Sequence, residues 1–361
     1  MKKIGIIISI FIAIVIFCSC TKQITSYVPV GAPFPYPTAY NFSNVNDSIQ
    51  KKVLLNIDSL IATVDQGNTS NVVDTGKLKG IFTNTSLGYS LGSLCTPVAQ
   101  TDLLNYFDSV GVFSHSTVIG NNGVTGVVTS PSVGSYLQSD SGFAYSEIIR
   151  ASIMEGLIAY QIETIHLGGD SINNSLLITI PILQRNWDAG FGYFDVPIDY
   201  PTNTAGANYW GATASALSAA LGADTIIMDN FLIGRAAINN DHILTSGNVV
   251  NVTDYSAIAD ANNIIAAMDN LLAGAAIHAL NQAKISDSLS DDVAARFYLS
   301  TSWGFIHSLN YNASPARQNV ATQPILAAYG TNLYRFNFAY RNVDSLRTVI
   351  GNMYGFLNTN F

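Results

Sequence analysis

The chain has 361 residues, of which only 11% are charged: 16 lysines and arginines against 24 acids, for a formal charge of −8. Charged residues usually make up about a quarter of a globular chain; here Asn, Ser and Thr take over the surface, and an acidic, lysine-poor surface excludes binding to nucleic acid or to anionic lipid headgroups. The three cysteines, Cys18, Cys20 and Cys95, offer no disulfide framework, so the fold must stand on its core.

The first element is MKKIGIIISIFIAIVIFCSC: two lysines, an apolar run from Ile4 to Phe17 interrupted only by Ser9, then small residues and cysteine. The run is too short to span a bilayer, which takes about 20 residues, but it has the length of a signal-peptide core. Ser19-Cys20 resembles a bacterial lipobox, which implies a signal over 1–19 and acylation of Cys20; the competing reading is an ordinary cleaved signal followed by a free cysteine. Loss of Lys2 and Lys3 takes the mature chain to about −10. ITSYVPVGAPFPYP, within 20–39, lacks periodicity and is proline-rich, as expected of a flexible tether that lifts a helical domain, 40–361, off the membrane.

Within that domain, Asn46 or Asp47 can cap a helix in which Ile49, Val53, Ile57, Leu60, Ile61 and Val64 recur at helical spacing. From Asn68 to Ser141 the chain is rich in Gly, Ser, Thr and Asn around two short helical segments, near Gly76 to Thr83 and Val98 to Phe107. GVTGVVTSPSVGSY follows as loop or short hairpin. Stronger helical patterns run over Ala144–Ile165, Ile182–Phe194, Ala207–Leu221, Thr225–Ile243, Ser256–Lys284, Asp291–Leu309, Gln318–Tyr329 and Val343–Leu357. The expected class is all-α: a multi-helix bundle, or two packed bundles, with one irregular segment. The longest apolar stretch, Ile258–Ala283, is broken by Asp260, Asn262, Asn263, Asp269 and Asn270, which leaves the lipid as the expected anchor.

Chemistry-bearing patterns are sparse. Only three glutamates occur, Glu147, Glu155 and Glu163, all on one predicted helix but about 80° apart at their eight-residue steps. Glu163 and His166 have the Glu-x-x-His spacing of di-iron bundles, yet none of the other histidines completes a second pair, so they are weak metal candidates; the plainer reading is a surface pair at a helix end. His-Glu-x-x-His, Gly-x-Ser-x-Gly and the phosphate-binding loop are absent from the sequence. Cys95 precedes Thr96-Pro97, which reads as a helix start and leaves the thiol idle. No catalytic residue and no cofactor is assigned.

The stretch NWDAGFGYFD, Asn186 to Asp195, most resembles a fragment of a reaction centre. Trp187, Phe191 and Phe194 fall at i, i+4 and i+7, a stripe that reads as core. Asp188 on the adjacent face needs a partner if buried, and Arg235 in GRAAINND, alone in an apolar helix, is the expected one.

Several segments together, NWDAGFGYFDVPIDYPTNTAGANYWG, LIGRAAINND, YNFSNVNDSIQ, MEGLIAYQI, YLSTSWGFIHSL and SLRTVIGNMYGF, resemble the successive blocks of a lipoprotein family of Bacteroidota catalogued only as a domain of unknown function. The resemblance covers Tyr40 to Phe356. It implies an all-helical fold and, more distantly, kinship with imelysin-like proteins of the bacterial envelope linked to iron uptake. Where the family pattern has a glutamate after the Trp-Asp pair this chain has Ala189. Where the pattern has a late histidine and glutamate it has Phe297 and Thr301, poor groups for binding metal or moving protons.

Three functions follow as expectations. The first is a non-enzymatic envelope lipoprotein that binds a small ligand or a partner such as an outer-membrane transporter. The second is an imelysin-like protein associated with metal or haem. The third is a glycan-binding lipoprotein paired with a TonB-dependent transporter, in which exposed Trp187, Trp210 and Trp303 would stack on sugars. TKQITS after Cys20 has no acidic run, which points to the periplasmic face of the outer membrane rather than the cell surface.

Overall fold

A computed structural model describes residues 35–42, 46–86, 88–172, 180–239, 257–311, 322–338 and 342–354; the signal, Cys20, most of the tether and parts of four expected helices lie outside them. The first helix, α1 (Ser48–Asp65), forms where the spacing predicts and buries Val53, Leu54, Ile57, Leu60, Ile61 and Val64 on one face. Asn46 Oδ1 accepts from Ser48 N at its start, and Lys51 pairs with Asp47 at 3.0 Å. After α2 (Thr75–Thr83) and the single turn α3 (Leu91–Leu94), Thr96 accepts from Ala99 N and Pro97 opens α4 (Pro97–Phe113). Proline suits that first position because its missing N–H would have no intrahelical partner there.

GVTGVVTSPSVGSY is a true antiparallel hairpin, β1 (Gly126–Ser130) with β2 (Gly134–Gln138), in register from Gly126 opposite Gln138 to Ser130 opposite Gly134. Its outer end is held by Asp291, whose carboxylate accepts from Ser130 Oγ at 2.6 Å and Ser132 Oγ at 2.8 Å while capping a later helix through Ala294 N. The next helix, α5 (Tyr145–Ile153), continues as π-helix over Met154–Ala159 and Gln161–His166. Sequence periodicity gives the length of this element but not its winding, because the i→i+5 pattern is a property of backbone bonds that side-chain spacing does not record.

A short turn, α6 (Gly169–Ile172), leads toward α7 (Ile180–Phe194), followed by α8 (Tyr209–Ala216), α9 (Ser218–Leu221), α10 (Ala223–Asn239), α11 (Ala257–Ser288), α12 (Asp292–Ser308), α13 (Thr322–Tyr329) and α14 (Asn342–Tyr354). Helix α11 is the spine: α10, α12 and α14 pack along it, while α5 lies against α12 and α4. By length and composition α11 could cross a membrane, but 72% of its most apolar window is buried inside the molecule, together with Asp260 and Asp269. It is a core helix. One continuous core runs from Tyr40 to Tyr354, with a small satellite of Val128, Tyr136 and Ala144 under the hairpin, so two separate bundles do not arise among the described residues.

Helices α7 and α10 cross at their closest where Trp187 meets Gly234. A β-carbon at Gly234 would lie 2.2 Å from Trp187 Cζ2, a separation no packed atom tolerates, and Trp187 itself is fully buried with its indole N–H donating to Phe231 O at 2.9 Å. Gly234→Ala is therefore expected to lower stability by at least the ~1–3 kcal/mol of core overpacking, read as a lower midpoint in urea unfolding with little change in slope. An unchanged midpoint would mean that the indole is free to move.

A candidate site at the crossing of α7 and α10

The residues beside that contact form the most buried ion pair among the described residues. Asp188 follows Trp187 and Arg235 follows Gly234, so the crossing that seats the indole against glycine also sets carboxylate against guanidinium. Arg235 Nε donates to Asp188 Oδ1 at 2.7 Å and Nη2 donates to Oδ2 at 3.1 Å, a bidentate fork, with side chains 4% and 0% exposed. One turn along each helix, Arg235 Nη1 donates to Asn239 Oδ1, which also accepts from Gln184 Nε2 at 2.9 Å. A third element completes the site: Tyr40 donates its hydroxyl to Asp188 Oδ1 at 2.5 Å and stacks on Phe191, with centroids 3.7 Å apart and planes within 3°. Phe231 closes the slot edge-on to both rings.

Burial raises the Asp188 carboxyl while the hydrogen bonds from Arg235 and Tyr40 pull it back down. The Tyr40 phenol is driven well above its ordinary range, first by burial and then by the neighbouring carboxylate, so it stays a donor. These groups satisfy one another. A pair of this kind holds geometry; it contributes little net stability over apolar residues of equal volume, but stranding one member costs several kcal/mol.

Above Tyr40 lies a cleft of about 210 Å³ lined by Pro35, Pro37, Tyr40, Asn41, Leu232, Arg235, Ala236 and Asn239. Its floor is the network just described. Asp188 and Arg235 are legible in the sequence, whereas Tyr40 is not, because its partner is 148 positions away.

The other candidates are scattered. Glu163 is buried rather than at the surface, and His166 is half-buried and stacked on Tyr193 at 5.7 Å. Both sit on the π-helical stretch, whose wider turn separates positions three apart that an α-helix would align. No three His, Cys, Asp or Glu side chains among the described residues converge as a metal site requires. Cys95 is buried, donates to Leu91 O at 3.3 Å and is pushed up by burial, away from thiolate reactivity. Phe297 packs edge-on against Tyr136 and Tyr298, and Thr301 Oγ1 bonds back to Phe297 O at 3.1 Å and reaches Glu147 at 3.4 Å. Burial raises the Glu147 carboxyl and Arg150, at 3.5 Å, opposes it.

One further pair had no signal in the sequence. His307 Nε2 lies 3.0 Å from Asp102 Oδ2, with the imidazole stacked on Trp303 at 4.8 Å. The carboxylate accepts from that nitrogen, leaving Nδ1 buried without a hydrogen-bond partner among the described residues.

Fold and site thus define a class, an α-helical domain in which a buried ion pair joins two packed helices. Within that class, residues 96–335 match the family model described as Domain of unknown function (DUF4856), and the chain belongs to that family. No curated protein and no solved structure matches it.

Two outcomes test the site. Asp188→Asn or Arg235→Met alone should each cost about 3–5 kcal/mol by stranding the partner, while the pair Asp188→Leu/Arg235→Met costs much less than their sum; additive urea-unfolding losses would show that the two do not interact. His166 gives a pH test. Burial, aided by Arg185, lowers its folded value to about 4, so the fold favours the neutral ring. That contribution is complete above the unfolded value near 6.5 and is lost as pH falls toward 4. His166→Phe should flatten the melting temperature across that window, and an unaltered acid limb would remove His166 as its source.

Proposed function

We propose that this chain is an outer-membrane lipoprotein, acylated at Cys20 and facing the periplasm, that binds a small ligand or a partner and performs no chemistry of its own. The observation that carries the binding part is the cleft lined by Tyr40, Arg235 and Asn239. Its walls are apolar, from Pro35, Pro37, Leu232 and Ala236, and amides stand at Asn41 and Asn239. Apolar walls with a few fixed polar groups are the ordinary make-up of a ligand site. At about 210 Å³ the cleft is smaller than the roughly 300–1,000 Å³ of drug-sized sites, which favours a ligand of metabolite size.

The iron-associated reading has less behind it, since Glu163 and His166 gain no third ligand among the described residues. The glycan reading loses two of its three tryptophans: Trp187 and Trp210 are wholly buried, and only Trp303 is partly exposed.

Two experiments address the two halves. Radiolabelled palmitate fed to cells should appear on the full chain and not on Cys20→Ser; an unlabelled wild type would rule out the lipid anchor. For binding, thermal shifts of the soluble domain against amino acids, dicarboxylates and small sugars should yield at least one stabilising compound whose effect disappears in Asn41→Trp, which fills the cleft without touching Asp188. A shift that persists in that variant would place binding elsewhere.

A further inference from the structure

The residues at 35–42 are attached to the helical core in an unusual way. They form no helix or strand, and positions 35–38 are exposed. Tyr40 N donates to Ile198 O at 2.7 Å. Among the described residues its other anchors are Tyr40, 3% exposed with its hydroxyl on Asp188, and Phe42, which lies edge-on to both Tyr40 and Phe191, while Pro35, Pro37 and Asn41 face Leu232 and Ala236 across the cleft. Tyr40 is therefore the most buried of the segment's anchors.

The slot that receives the plug is built by other elements. Phe191 and Asp188 come from α7 and Phe231 and Arg235 from α10, and the two helices are already bound to each other through the Trp187–Phe231 hydrogen bond and the bidentate ion pair. Withdrawing Tyr40 would remove one donor from Asp188 and leave two, so the carboxylate is not stranded. That distinguishes Tyr40 from Arg235, whose loss leaves a buried charge unpaired.

We infer that residues 35–42 form a releasable strap and that the slot beneath it is a binding site for a hydroxyl-bearing aromatic ring, occupied in this structure by the chain's own Tyr40. Flat faces of Phe191 and the edge of Phe231 select a ring, and Asp188 Oδ1 at the closed end selects a hydroxyl donor. Release of the strap opens the slot to a small phenolic ligand, and it does so at the point where the domain meets its tether. The inference does not depend on the cleft above Tyr40 holding a ligand.

Native-state hydrogen exchange of the soluble domain tests the strap. The Tyr40 amide should exchange at least about 100-fold faster than the amides of α11 and be insensitive to low urea, the mark of local opening. Exchange at the α11 rate, through global unfolding, would overturn the strap. Tyr40→Phe, which keeps the ring and loses the hydroxyl, should speed exchange at residues 40–42 by roughly tenfold, the size of one hydrogen bond to a charged group; no change would mean that Asp188 does not hold the plug. The slot is tested with p-cresol. It should raise the melting temperature of Tyr40→Ala, with toluene doing so less and the wild type not responding. Equal effects of the two compounds, or none, would overturn the phenol site, as would failure of Tyr40→Ala to fold, because a core that needs its plug has no releasable strap.

Discussion

The arrangement of this domain rests on one constraint: a carboxylate wholly removed from water must keep its counter-charge. Asp188 meets that constraint through Arg235, and the consequences spread outward. The guanidinium fork fixes the distance and rotation between α7 and α10. That spacing brings Trp187 onto Gly234 and the aromatic stripe of α7 onto Phe231. The same carboxylate then has a lone pair to offer Tyr40, which draws the N-terminal segment into the core. Ion pairs of this depth are weak sources of net stability but strong sources of register, and register is what a domain of many similar apolar helices needs.

Much of this could be read before the structure. Val53, Ile57, Leu60 and Val64 define the buried face of α1 because 3.6-residue periodicity and burial are the same fact seen twice. Asp188 and Arg235 could be paired because Arg235 is the one cation of α10, Asp188 adjoins a core tryptophan, and a buried charge has few ways to be satisfied. Trp187, Phe191 and Phe194 show as core for the same reason.

What escaped has physical reasons too. Gly234 carries no side chain and so no sequence signal of its own; its importance appears only where two helices cross. Tyr40 sits in a proline-rich segment without periodicity, and nothing local distinguishes a tyrosine that plugs a core from one that dangles. His307 and Asp102, 205 positions apart, are each half-exposed on helices whose patterns are set by their apolar neighbours. The conversion of α5 to π-helix beyond Ile153 is a change in backbone bonding beneath an unchanged apolar pattern.

In NWDAGFGYFD, Trp187 packs on Gly234 and Asp188 pairs with Arg235. An acid, a tryptophan and glycines close together are what an active site uses, and also what a tight helix crossing uses. The account requires the Trp187–Gly234 contact beneath this face to stay closed to solvent as long as the domain is folded, and the Trp187 indole N–H, bonded to Phe231 O, is its most direct reporter. Measured by native-state exchange, that proton should leave only by global unfolding, with the same free energy that urea titration gives for the whole domain. Exchange at a much lower free energy, independent of urea, would show the crossing opening to water in the native state and would contradict the account.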